Sequence, residues 1–142
     1  MELNLPALQN SFDLVAPHGE RLMDEFYARL FETAPAVVPL FAATDLQGQK
    51  AKLLSTLVLL RNSLRDLNAI LPNLHRLGAR HVAYGAQPEH YAVVGETLIA
   101  AMATIAGAAW RSEHESAWRE AFAVVAAAML DGAKAAQSAT AA

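Results

Sequence analysis

Apolar residues recur at helical spacing along almost the whole chain, and no stretch alternates with the period of two that a half-buried strand requires. Leu5, Leu8, Phe12 and Val15 make a first stripe at intervals of three and four, interrupted by Pro17-His18-Gly19. A second helix is predicted over residues 20–33, with Leu22, Phe26 and Leu30 on one side and Met23, Tyr27 and Phe31 beside them. Pro35 starts a short turn that ends at Phe41, because proline is tolerated in the first turn of a helix. Residues 42–48 read as a polar connection. A strong helix follows over 49–64, with Leu53, Leu57 and Leu60 on one face and Leu54 and Val58 alongside. Residues 66–68 break it. Asn68 is read as the cap of the next helix, which holds Pro72 in its first turns and ends between His81 and Gly85. Pro88 opens a helix through Tyr91, Val94, Leu98, Met102 and Ile105, closed at Gly107. Ser112 with Glu115 three residues on is a capping-box pattern that starts the last helix, whose stripe is Trp118, Phe122, Val125 and Met129. Six to eight unequal helices with proline-marked corners predict an all-α domain with crossed packing rather than a parallel four-helix bundle.

At 142 residues the chain has the length of one domain, taken as residues 1–142. A chain of this size hides roughly 70% of the surface that its unfolded form exposes. Apolar residues make up 54% and charged residues 18%, which excludes intrinsic disorder. Alanine accounts for part of the apolar share. A cofactor would add an internal apolar surface, and a homodimer contact an external one. A net charge of −3 and a pI near 5.9 offer no basic track for a phosphate backbone, so nucleic acid is not an expected partner. The lack of cysteine removes disulfides, thiolate catalysis and thiolate-held metals, and it fits a cytoplasmic protein. Met1 to Pro6 lack the pattern of a signal peptide, and the uncharged run over 121–130 is too short to cross a bilayer, so no membrane insertion is expected. The Ala-rich end from residue 133 is expected to fray.

There is no glycine-rich phosphate loop, dinucleotide fingerprint, His-Glu-x-x-His or Gly-x-Ser-x-Gly pattern, so hydrolysis and phosphoryl transfer lack their residues. The five histidines are His18, His75, His81, His90 and His114, and no two are four apart. A two-histidine metal site on one helix face is therefore excluded. A single donor to iron is not. His81 lies ten residues before Tyr91 and forty after Phe41. A haem needs an apolar slot, an axial donor whose second ring nitrogen is held by a hydrogen bond, and a distal side that tunes a gas ligand. Phe41 can wedge the porphyrin, and Tyr27, Gln49 and Leu53 can face the open coordination position. Gln49 and Leu53 are one helical turn apart and share a face.

From about residue 10 to residue 131 the chain resembles the globin family, specifically the bacterial single-domain haemoglobins and the globin domain of flavohaemoglobins. The stretches that carry the resemblance are Phe26-Tyr27-x-x-Leu30-Phe31, Pro35 to Phe41, Leu67-x-x-x-Leu71-Pro72, Arg80-His81, His90-Tyr91-x-x-Val94-Gly95 and Ala117-Trp118-x-x-Ala121-Phe122. It implies a globin-like fold around a haem b pocket, with His81 as the proximal ligand and Phe41 packed on the haem. Tyr27 and Gln49 match the distal tyrosine and glutamine, Leu53 the apolar residue one turn later, and Tyr91 the proximal tyrosine, with Val94 on the haem side of the same helix. Lys52 and Arg80 match partners of the haem propionates. The connection after Phe41 is about two residues shorter than in flavohaemoglobins, so Gln47 competes with Gln49, and the ungapped match from Leu53 to His81 favours Gln49.

One position departs from the pattern. Ala133 stands where flavohaemoglobins carry a glutamate that hydrogen-bonds the proximal histidine and tyrosine. The implied function is reversible oxygen binding, for storage, delivery or scavenging, at a five-coordinate ferrous haem. The alternatives are nitric oxide dioxygenation that depends on an external reductase, and gas or redox sensing.

Overall fold

A computed structural model describes residues 3–83 and 85–141, with side chains through residue 137. Met1 and Glu2, part of the N-terminal reading, lie outside the described residues. Six α-helices carry the fold: α1 (Leu5–Val15), α2 (Gly19–Thr33), α3 (Leu46–Asn62), α4 (Leu71–Ala83), α5 (Pro88–Ala106) and α6 (Ser112–Ala141). Short 3-10 turns at Ala16–His18, Pro35–Phe41, Leu67–Ile70 and Gly107–Ala109 make the corners, and there is no strand among the described residues. The all-α expectation holds, and so do the two proline-marked corners at Pro35 and Pro88.

The core lies where α1, α2, α5 and α6 meet. Leu8, Phe12 and Val15 of α1, Leu22, Phe26 and Leu30 of α2, Met102 of α5 and Trp118 of α6 are all fully or nearly fully buried. Trp118 holds α1 and α6 together. Its indole N–H donates to Ser11 Oγ at 2.8 Å, and that hydroxyl donates to the Ala7 carbonyl at 2.6 Å. Its ring lies 6.2 Å from Phe12 and 5.2 Å from Phe122. Ser11→Ala would leave the buried indole N–H without an acceptor. A loss of about 1–3 kcal/mol is expected, read as a fall of several degrees in Tm. An unchanged Tm would mean that another acceptor takes over.

α5 is long and apolar enough, by length and composition, to cross a bilayer, a property that the sequence reading assigned to no segment. It packs against α1, α2 and α6 and buries Leu98, Ile99, Ala101 and Met102.

Several boundaries differ from expectation, each for a local reason. α3 begins at Leu46 rather than Gln49, because Asp45 takes the cap position and its carbonyl accepts from the Gln49 N–H at 2.9 Å. Val58 is exposed instead of sharing the core face. Asn68 does not cap α4. It lies inside the 3-10 turn, and α4 starts at Leu71 with Pro72 in its first turn. The Ser112–Glu115 box is displaced by one residue. The Arg111 carbonyl accepts from the His114 and Glu115 N–H groups, while the Arg111 N–H donates to His114 Nδ1 at 3.0 Å. His114 is therefore buried. The C-terminal segment, expected to fray from residue 133, continues α6 through Ala141, as the high helix propensity of alanine favours, and Ala133 itself is buried.

Candidate functional site

Two clusters gather the residues singled out in the sequence. The first is built on α2. Tyr27 is buried at 3% exposure, on the face that α2 turns toward the Pro35–Phe41 turn. Its ring meets Phe41 edge-on at 5.9 Å and 81°, with Phe26 at 4.8 Å and Phe31 at 5.9 Å. Phe31 and Phe41 meet at 5.4 Å. Phe31 thus joins the cluster although it was not among the expected site residues. Its signal was the spacing of four from Tyr27, which stacks the two rings on one face.

Gln49 comes to the same place from α3. Burial raises the Tyr27 phenol above its ordinary pKa, and hydrogen bonding with the Gln49 side chain pulls in the opposite direction without cancelling that rise. Gln47 is exposed and Gln49 half-buried. Both are helical because α3 starts at Leu46, and two residues along a helix turn the side chain to the opposite face. Geometry therefore puts Gln49, not Gln47, with Tyr27. Leu53, one turn further on, is half-buried against the core, and Lys52 is exposed.

The second cluster is built on the last turn of α4. His81 Nδ1 lies 2.7 Å from the Leu77 carbonyl. A carbonyl only accepts, so this contact puts the ring proton on Nδ1 and the lone pair on Nε2. A donor histidine needs that tautomer, with the second nitrogen held by a carbonyl. The Tyr91 ring of α5 lies 6.2 Å from the His81 ring. Burial raises the Tyr91 phenol above its ordinary pKa as well. Val94, one turn on from Tyr91, is half-buried against the core. Arg80 is exposed, and neither Arg80 nor Lys52 forms an ion pair among the described residues. The chain leaves α4 through Gly85, at φ +86°, where the Ala86 N–H donates to the His81 carbonyl at 2.9 Å. Leu40, next to Phe41, lies close enough to Gly85 that a Cβ there would be 3.2 Å from its Cδ2. The turn that carries Phe41 thus borders the corner that follows His81.

The other histidines have different work. His90 Nδ1 accepts from the Gln87 N–H at 3.0 Å and completes a capping box on α5, so its side chain serves the helix start. His75 is exposed on α4.

The globin family model matches residues 24–129. The chain belongs to the globin family. Among its relatives, a flavohemoprotein of Halalkalibacterium halodurans is 34% identical over 115 residues, which is 80% of this chain and 28% of that protein. A flavohemoprotein of Bacillus subtilis is 27% identical over 125 residues, 87% of this chain and 31% of that protein. The globin chain thus spans under a third of the curated relatives that it matches. A bacterial globin from Campylobacter jejuni superimposes with a TM-score of 0.79 at 23% identity, covering 92% of this chain and 94% of that one. An engineered carbene transferase from Rhodothermus marinus gives 0.89 at 22% identity, covering all of both chains. At these identities the two structures confirm the globin fold alone.

Membership of the globin family implies haem binding. The donor chemistry fits that implication. His81 has the tautomer of an axial ligand, and Phe41, Leu53, Tyr91 and Val94 are apolar or aromatic side chains held half-buried against the core. Ala133, buried at the end of the core face of α6, supplies no carboxylate to the His81–Tyr91 pair.

Proposed function

We propose that this globin holds a b-type haem through His81 and binds oxygen reversibly, with Tyr27 and Gln49 as the groups that hold the gas. When bound, the haem supplies an iron with one position open to a diatomic ligand. Phe41, Leu53, Tyr91 and Val94 present the apolar contacts, and Lys52 and Arg80, which form no ion pair among the described residues, are suited to the two propionates. The observation that carries the reading is the buried Tyr27 beside Gln49. Two neutral N–H and O–H donors in one apolar pocket favour a ligand that draws negative charge, as oxygen does, and shed it slowly. Optical spectra of the ferric, ferrous and oxygenated forms, with the oxygen release rate from the same sample, test it. A Soret band and slow release are expected, and a colourless chain after growth with haem would end the reading.

Because burial raises the Tyr27 phenol, its proton stays in place throughout the neutral range. Oxygen release should therefore be flat from about pH 6 to pH 9, whereas a phenol of lowered pKa would give a rate that climbs with pH.

The flavohemoprotein relatives favour a second reading, in which this globin dioxygenates nitric oxide with electrons from a separate reductase. Nitric oxide, oxygen and one electron balance to nitrate. The haem-loaded chain, given oxygen but no reductant, should consume a single equivalent of nitric oxide per haem and stop oxidised, and an electron donor should restart it. Sustained removal without a donor would exclude that stoichiometry. The lack of cysteine suits a reducing cytoplasm for either role.

A further inference from the structure

Among the described residues, α4 lies along α6 in the most extensive helix pairing, and two glycines make that closeness possible. A Cβ on Gly78 would sit 1.8 Å from the Met129 carbonyl oxygen, and a Cβ on Gly132 would sit 2.1 Å from the His75 carbonyl oxygen. Each glycine thus faces main chain of the other helix, which cannot rotate out of the way as a side chain can. Glycine inside a helix costs roughly 0.5–1 kcal/mol relative to alanine, so both positions carry an intrinsic penalty that a packing role must offset. Gly78 lies three residues, just under one turn, before His81 on the same helix face.

We propose that Gly78 and Gly132 form a main-chain seat that sets how far α4 carries His81 toward the haem, so that both are positioning residues for the axial ligand. This rests on the haem reading above. The magnitudes support it. To bring a Gly78 Cβ from 1.8 Å out to the 3.0 Å floor of real Cβ contacts, α4 and α6 must part by about 1.2 Å, and Gly132 requires about 0.9 Å. Metal–ligand distances tolerate only about 0.2 Å. Either displacement therefore exceeds what a histidine–iron bond absorbs without tilting or stretching. Ala133, the neighbour of Gly132, brings no carboxylate to the His81–Tyr91 pair, and at Gly78 and Gly132 α6 meets α4 through main chain.

The test compares Gly78→Ala and Gly132→Ala with Gly95→Ala, whose added Cβ would meet Phe122 at an ordinary 3.7 Å. Haem loss to an excess of a haem-scavenging apoprotein and the iron–histidine stretching band of the ferrous form are measured, with helicity of the haem-free chains as the check on folding. Both seat variants should lose haem at least tenfold faster and shift or broaden the band, while Gly95→Ala stays within twofold of the parent. The deciding arm repeats Gly78→Ala in a His81→Gly chain supplied with imidazole, where the iron ligand is detached from α4. There the seat substitution should change haem loss by less than twofold.

Equal acceleration with and without the tether would show general destabilisation and overturn the proposal. So would an unshifted band, or failure of both seat variants to fold. If Gly78→Ala alone does not fold, Gly132→Ala, with its smaller displacement, decides, paired with the same His81→Gly background. A parent chain that takes up no haem would instead overturn the haem reading itself.

Discussion

His81→Ala should yield a chain that keeps its helices and loses its haem, while His75→Ala and His90→Ala should remain fully loaded. Only His81 combines half-burial with a ring proton committed to a backbone carbonyl, the Nδ1–Leu77 contact of 2.7 Å that puts the lone pair on Nε2. His75 is exposed on the same helix. His90 uses Nδ1 to accept the Gln87 N–H, so its loss removes a helix cap. Caps are worth about 0.5–2 kcal/mol. His90→Ala should therefore lower Tm modestly at unchanged haem content, which separates a stability effect from a ligand effect. Haem per chain, measured from the Soret band and from the extracted cofactor, reads the outcome, and added imidazole should partly restore binding to the His81 variant. Full haem content with a parent-like ferrous spectrum in His81→Ala would remove His81 as the ligand, and with it the family alignment of the site.

Tyr27→Phe and Gln49→Leu should each speed oxygen release by about ten- to a hundredfold, since a hydrogen bond to a ligand carrying charge is worth about 1.5–3 kcal/mol. Tyr27→Phe keeps the ring that meets Phe41 and Phe31, so the core survives and the hydroxyl alone is tested. The double variant should fall short of the product of the two, because the Gln49 side chain acts on the Tyr27 hydroxyl and each would orient the other. Gln47→Leu is the control, exposed on the opposite side of α3, and should leave the rate at the parent value. Unchanged release in both single variants, or a large effect from Gln47→Leu, would show that the gas is held by other groups.

The two clusters differ in how far they could be read from the chain. Tyr27, Phe31 and Phe41 follow from spacing: four residues on α2 stack two rings, and Pro35 starts the turn that returns the third. The match from Leu53 to His81 already favoured Gln49 over Gln47, but the approach of Gln49 to Tyr27 did not follow from spacing, because it depended on where α3 begins. Asp45 decides that point by taking the cap, and a shift of two residues reverses the face that a side chain presents. The histidine caps at His90 and His114 are not legible in the sequence, because a capping box is marked by Glu or Gln at that position, while here an imidazole nitrogen accepts from the same N–H.

Sequence alone determined the all-α class, the order of the helices, their proline corners and the resemblance to globins. These depend on local periodicity and on residue types that break or start helices, and neither requires knowledge of distant contacts. Only the tertiary structure decided that Gln49 reaches Tyr27, that Trp118 is tied to Ser11, and that α4 rests main chain to main chain on α6 through Gly78 and Gly132. Each is a contact between residues far apart in the chain, and its energy comes from close packing and paired buried polar groups, which no spacing along one helix encodes.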